Sequence, residues 1–234
     1  MLEVHGLVTG YSNEPVIRGV SFEVRPREIV VMLGHNGAGK SSIVRALLGL
    51  LPVWEGRILL AGHDLTRSPS WNRAKAGVAV SFQDQSVFPT MTVWKNLLLG
   101  GYVHGSQKQR VERHLEEVFQ LFPVLRARGK QLAWTLSGGE RRMLSIGMAL
   151  MADPRLLLLD EPSTGLSPGL TADVLATVGQ IRNTLGKSVL LIEQNVQQAL
   201  ACADQVLVIK TGTLVYKGEP TLLSSDPTEL VRLF

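Results

Sequence analysis

Apolar and polar residues nearly alternate over residues 2–9 and 16–24, and both stretches are rich in β-branched side chains. A period of two puts every second side chain on one face, which predicts a pair of half-buried strands. Residues 28–33 differ: Ile29 to Leu33 is unbroken apolar, as in a parallel strand covered on both faces. That run ends in a glycine-rich loop, after which residues 40–51 read as a helix closed by Pro52. Residues 57–61 predict another strand, turning at Gly62. From 93 to 122 the period lengthens, and Val111, Leu115, Val118, Phe119 and Phe122 share one helical face. A second helix is expected over 138–151. Residues 155–159, 188–192 and 205–209 return as strands, with helices over 171–185 and 196–203 between them. Strand and helix alternating at this spacing predict an α/β fold with a parallel sheet.

The same pattern predicts a single domain over 1–234. Residues 1–85 and 153–234 form its core, with a small antiparallel sheet in front. Residues 86–152 form an inserted helical subdomain. A hydrophobic share of 45% against 19% charged residues fits a folded globular chain. The net charge of +4 does not choose among nucleic acid, anionic lipid and nucleotide as a ligand. Cys202, the only cysteine, excludes an intrachain disulfide and predicts a reducing compartment. The opening residues lack the basic and apolar regions of a secretory signal. No window approaches the roughly 18 consecutive apolar residues of a membrane-spanning helix, so any service to a membrane is expected through docking on another chain.

Candidate chemistry begins after the first apolar strand. Gly34-His-Asn36-Gly37-Ala38-Gly39-Lys40-Ser41, followed by Ser42, fits the phosphate-binding loop pattern between a strand and a helix. Glycines let successive backbone N–H groups point into one concavity, and the helix N-terminus adds a positive dipole end. Lys40 brings a cation to the β- and γ-phosphates of ATP, and Ser41 offers a hydroxyl to Mg²⁺. Further on, an apolar strand ends in Asp160-Glu161-Pro162. Carboxylates at the carboxyl end of a parallel strand face the usual ligand crevice. There Asp160 can hold Mg²⁺ and Glu161 can polarise the attacking water.

Leu136-Ser137-Gly138-Gly139-Glu140 makes the reading specific, because it resembles the signature of the ATP-binding cassette (ABC) ATPases and precedes the Asp160-Glu161 strand as in that family. Tyr11 sits where the family stacks an aromatic residue on adenine. Gln83 sits where a glutamine links Mg²⁺ to the helical subdomain, followed by the family-like Phe88-Pro89-Thr-Met-Thr92-Val93. Ser163-Thr-Gly165-Leu166-Ser167 is similar to the loop that contacts the partner subunit. The resemblance implies a dimer, homo- or heteromeric, in which Ser137, Gly138, Gly139 and Glu140 of one chain meet the γ-phosphate held by the other. At the position of the family's usual phosphate-contacting histidine stands Gln194, which can hydrogen-bond a phosphate but carries no charge. The resemblance therefore implies catalytic roles for Lys40, Glu161 and Gln194, with Mg²⁺ held by Ser41, Gln83 and Asp160.

Glu193-Gln194-Asn195, with Gly-Leu-Ser-Pro after the carboxylates, looks like one ATPase of the branched-chain amino acid importers. That implies integral membrane permease subunits, an indirect solute-binding partner, no nucleic acid, and a place on the cytoplasmic face of the membrane. Importers of urea or short amides share much of the pattern. A soluble ABC ATPase is the reading from another class, against which the single cassette and short insertion weigh. A regulatory ATP binder without turnover is a third, prompted by Gln194. The five histidines show no metal-ligand spacing and read as surface or loop residues. Cys202 reads as a packed residue on a core-facing helix, Arg141 and Arg142 as a solvated helix face. Trp94 reads either as lining a groove for a permease helix or as ordinary packing.

Overall fold

The computed structural model describes residues 1–83 and 87–225. β1 (Leu2–Tyr11) and β2 (Glu14–Val24) lead to β3 (Ile29–Leu33) and α1 (Lys40–Leu47), followed by β4 (Glu55–Leu60) and β5 (His63–Asp64). Next come α2 (Ser70–Ala76) and β6 (Val78–Ser81), then α3 (Val93–Gly100), α4 (Lys108–Leu121), α5 (Pro123–Ala127) and α6 (Gly138–Leu150). The chain returns through β7 (Leu156–Asp160), α7 (Pro168–Leu185), β8 (Ser188–Ile192), α8 (Val196–Leu200), β9 (Gln205–Lys210), β10 (Thr213–Gly218) and α9 (Pro220–Ser225).

One sheet runs β10-β9-β3-β8-β7-β6, parallel except for β10, which pairs antiparallel with β9. Its central strands are buried on both faces, and their alternation sorts side chains into two cores. Ile29, Val31, Leu33, Leu157, Leu159, Val189 and Leu191 pack with α7 and the helical insertion. Val30, Met32, Leu156, Leu158, Leu190 and Ile192 face α1 and the second sheet. Apolar side chains on both faces of a central strand explain the unbroken runs in the sequence. The second sheet, β2-β1-β4-β5, is antiparallel and closes over α1.

α1 is shorter than the expected 40–51 helix because Leu48 caps it and Gly49 turns left-handed at φ 72. Its C-terminal carbonyls are buried, and a side chain satisfies them. Arg73 of α2, 2% exposed, donates to the carbonyls of Ala46 at 2.6 Å and Leu47 at 3.0 Å, and also to Ser68 and Thr66. A cation there also complements the negative end of the helix dipole. Arg73→Met is expected to leave the Leu47 carbonyl without its donor, while Ala46 keeps the Gly49 N–H, and to cost roughly 1–3 kcal/mol, a Tm fall on the order of 3–12 °C by calorimetry.

The expected helical run over 93–122 is divided. α3 ends at Gly100, a short 3₁₀ turn (Gly101–His104) follows, and Gly105 takes φ 57 before α4. α3 crosses α6 so closely that a Cβ on Gly100 would lie 2.2 Å from the Met148 carbonyl oxygen. Two histidines expected at the surface, His104 and His114, are instead buried here, with rings stacked 5.2 Å apart. His104 bonds the Met151 carbonyl, and burial pushes its pKa down. Asp153 ties this region to the core through Arg110 and His114 of α4 and Lys187 ahead of β8. Burial raises its carboxyl, but the hydrogen bonds from Lys187 and Arg110 outweigh that and hold it at about 2.

α2, β6 and β10 were not anticipated. β6 has four residues, too few for a period to register, and β10 is an edge strand with half-exposed side chains.

Candidate nucleotide site

Leu33 ends β3 in the centre of the sheet, and the loop to α1 folds back over that strand end. Ala38 N–H bonds the His35 carbonyl, while Gly37 and Gly39 take φ 81 and 106. Gly39 is required twice over. Its backbone is left-handed, and a Cβ would sit 2.6 Å from Ile17 Cδ1. α1 starts at Lys40 with no side-chain cap, so the N–H groups of Lys40 and Ser41 are available to an anion, while that of Ser42 bonds the Gly39 carbonyl. Lys40 Nζ donates to the Gly34 carbonyl at 2.7 Å and the His35 carbonyl at 3.1 Å, and lies 3.9 Å from Glu161 Oε1. Burial pulls the Lys40 pKa down, against the opposing pull of Glu161, Asp160 and Glu193.

β7 delivers the two carboxylates beside this loop. Asp160 is buried, and its pKa is raised by burial and by Glu161. Lys40, Arg45 and the Ser41 hydroxyl oppose that rise, yet Asp160 Oδ1 is a buried oxygen with no hydrogen-bond partner. A buried acceptor left without a donor calls for one more positive group. Glu161 takes φ 49, a left-handed conformation costing a non-glycine residue about 1–3 kcal/mol. Surrounding bonds hold it there. Its N–H donates to the Ile192 carbonyl at 2.9 Å, Oε1 accepts from Gln194 Nε2 at 2.6 Å, and Oε2 accepts from the Thr164 hydroxyl at 3.2 Å.

A cleft of about 490 Å³ gathers Tyr11, Asn36, Gly37, Ala38, Gly39, Lys40, Ser41, Ser42, Gln83, Glu161 and Gln194 along one wall of the protein. Tyr11 is 41% exposed, which leaves its ring open to stacking. Sequence reasoning missed Arg45, which lines the cleft and donates to the Tyr11 hydroxyl at 2.7 Å. Its spacing from Ser41, four residues along one helix, was the available signal.

Ser137, Gly138, Gly139 and Glu140 lie elsewhere, at the start of α6 and outside this cleft. Ser137 Oγ accepts from Glu140 N–H, and the Glu140 carboxylate accepts from Ser137 N–H and pairs with Arg128 at 2.8 Å. This reciprocal cap leaves Ser137 and Gly138 exposed. Leu166 and Leu170 lie against Gly138 and Gly139 from the chain that follows β7.

The smaller readings resolve differently. Arg141 is exposed, as a solvated face requires, and also bonds the Leu136 carbonyl, whereas Arg142 is half-buried and bonds the Phe82 carbonyl. Cys202 lies just past α8, and burial pushes its thiol to about 11, so it is an inert packed residue.

A phosphate loop, paired carboxylates and an inserted helical subdomain with a capped Ser-Gly-Gly turn define a P-loop ATPase of the cassette type. The chain belongs to the ABC transporter family, whose match covers residues 17–164. It is 38% identical to the high-affinity branched-chain amino acid transport ATP-binding protein BraG of Pseudomonas aeruginosa, over 97% of this chain and 96% of that one. It is 34% identical to the probable branched-chain amino acid transport ATP-binding protein LivF of Archaeoglobus fulgidus, covering 93% and 92%. Identity to the lipopolysaccharide export system ATP-binding protein LptB of Haemophilus influenzae is 32%, covering 97% and 93%. The solved ADP conformation of MJ1267, an ATP-binding cassette of an ABC transporter, superposes with a TM-score of 0.88 at 26% identity, covering 100% and 97%.

The chain is thus an ATP-binding, ATP-hydrolysing subunit of an ABC transporter. ABC ATPases work as dimers with membrane permease subunits. Among the described residues no helix is long and apolar enough to cross a membrane.

Proposed function

We propose that this chain is the ATP-driven motor of an importer for branched-chain amino acids, docked on permease subunits at the cytoplasmic face of the membrane. The likeness to BraG over nearly the full length of both chains carries this reading. The lower identity to LptB leaves an exporter as the second reading. A urea or short-amide importer differs from the first only in solute, which this chain would never touch.

In this reading residues 1–85 and 153–234 form the nucleotide-binding core and 86–152 the helical subdomain. Tyr11 stacks on adenine, and the Gly34–Ser42 loop wraps the phosphates. Lys40 exchanges its Gly34 and His35 carbonyls for phosphate oxygens. Ser41, Asp160 and Gln83 would hold Mg²⁺, and the partnerless Asp160 Oδ1 beside the Ser41 hydroxyl fits a hard cation with oxygen ligands. When bound, Mg²⁺ would offset the negative charge of the phosphates. Glu161 orients water toward the γ-phosphate, and Gln194 keeps Glu161 aimed without adding charge of its own. The Ser137 turn of a partner chain, identical or a companion ATPase, closes over the phosphates with exposed N–H groups. Positioning and electrostatics then supply the catalysis, since phosphoryl transfer asks for little covalent work.

Phe88, Met91, Trp94, Leu98 and Trp134 are exposed apolar side chains of the helical subdomain. Trp94 packs its ring 5.7 Å from Phe119, which bears out the packing reading, and at 44% exposed it leaves part of the ring open to a partner. A permease helix docking there would couple closure of the cassettes to transport. Affinity-tagged chain extracted from membranes is expected to bring permease subunits with it, and leucine with its binding protein to stimulate ATP hydrolysis in the complex. Trp94→Ala is expected to reduce that recovery while hydrolysis by the free chain stays unchanged. Full recovery would contradict docking at Trp94, and stimulation by a lipid substrate alone would contradict the import reading.

A further inference from the structure

Glu193 is a fully buried carboxylate, 1% exposed, at the end of β8. Among the described residues no cation comes within ion-pair distance of it. Burying such a group costs several kcal/mol unless donors replace water. Two backbone N–H groups do so here. Oε1 accepts from Ser163 N–H at 3.0 Å, and Oε2 accepts from Gln194 N–H at 3.2 Å.

Those two donors belong to the two segments that hold Glu161. Thr164, next to Ser163, donates its hydroxyl to Glu161 Oε2, and Gln194 donates its side-chain amide to Glu161 Oε1. We propose that Glu193 is a positioning residue for hydrolysis: its two oxygens fix the backbone at Ser163 and Gln194, from which Thr164 and Gln194 clamp the two oxygens of Glu161. The segment held at Ser163 continues to Leu166 and Leu170, which lie against Gly138 and Gly139. Glu193 therefore also links the aim of Glu161 to the position of the signature turn. This inference rests on Glu161 acting on the attacking water, as proposed above.

The discriminating variant is Glu193→Gln, which keeps size and one acceptor oxygen but turns an NH₂ toward one of the two N–H groups. Steady-state kinetics should show kcat reduced about tenfold or more, with the KM for ATP within about twofold of the parent, because the phosphate loop is untouched. Amide exchange at Ser163 or Gln194 should quicken in the same variant. Glu193→Asp, which keeps the charge but reaches only one donor, should lie between, and it carries the test if the glutamine variant does not fold. A kcat within twofold of the parent, or a parallel decline of kcat, ATP affinity and Tm, would overturn the assignment. Glu161→Gln run alongside separates the two levels. If it kept parental turnover, the reading of Glu161 would fall and this one with it. If it were inactive while Glu193→Gln was fully active, only the Glu193 assignment would fall.

Discussion

Glu161→Gln is expected to lower kcat by about 10²–10⁴-fold while ATP binding is retained. Three features of the site lead to that magnitude. Glu161 stands on a strained backbone, and both its oxygens are held by donors from separate loops. It is also the carboxylate that lines the cleft, whereas Asp160 lies beneath it against Ser41. Gln194, an uncharged amide, cannot replace it as a proton acceptor. The variant removes one negative charge beside the phosphates, so ATP should bind at least as well and hold two chains together longer. Single-turnover kinetics with nucleotide-binding measurements check both halves. Turnover within tenfold of the parent would mean that another group activates the water.

Lys40→Ala is expected to weaken ATP binding by about 2–5 kcal/mol, a 30- to 5,000-fold rise in Kd by calorimetry. Lys40 is buried beside Asp160, Glu161 and Glu193, the groups whose charge opposes its desolvation. Its removal leaves the negative charge of Glu161 at the cleft wall, with Asp160 and Glu193 buried behind it, opposed within the cleft by the more exposed Arg45. The loss therefore combines a missing contact with unrelieved repulsion. Its two carbonyl partners, Gly34 and His35, belong to a loop that remains backbone-bonded at Ala38, so the fold should survive.

Much of this site was legible from sequence because its chemistry is backbone-driven and contiguous. A phosphate loop needs glycines at fixed offsets, and both carboxylates must follow an apolar strand. The central strands were equally legible, since burial on both faces demands unbroken apolar runs. What escaped depends on pairings between distant segments. Glu193 reads as one more polar residue after a strand until Ser163 is brought to it from thirty positions away. Arg73 looks like a surface arginine on a short helix, and nothing local reveals that it closes the end of α1. His104 and His114 likewise become buried only because α4 packs on the Asp153 turn. The break at Gly100 escaped because the apolar spacing of Val111, Leu115, Val118 and Phe119 lies wholly within α4 and carries no information about the turn before it.

Lys40→Ala and Ser137→Arg place their damage on opposite walls of a site shared by two chains. Mixed in equal amounts with Mg²⁺ and ATP, they can form a dimer in which the intact phosphate loop of one meets the intact Ser137 turn of the other. Hydrolysis is expected to appear on mixing, up to about a quarter of the parental rate for random pairing of two-site dimers, although neither variant turns over alone. A mixture that stayed monomeric and inactive, beside a parent chain that dimerises and hydrolyses ATP, would contradict the shared site.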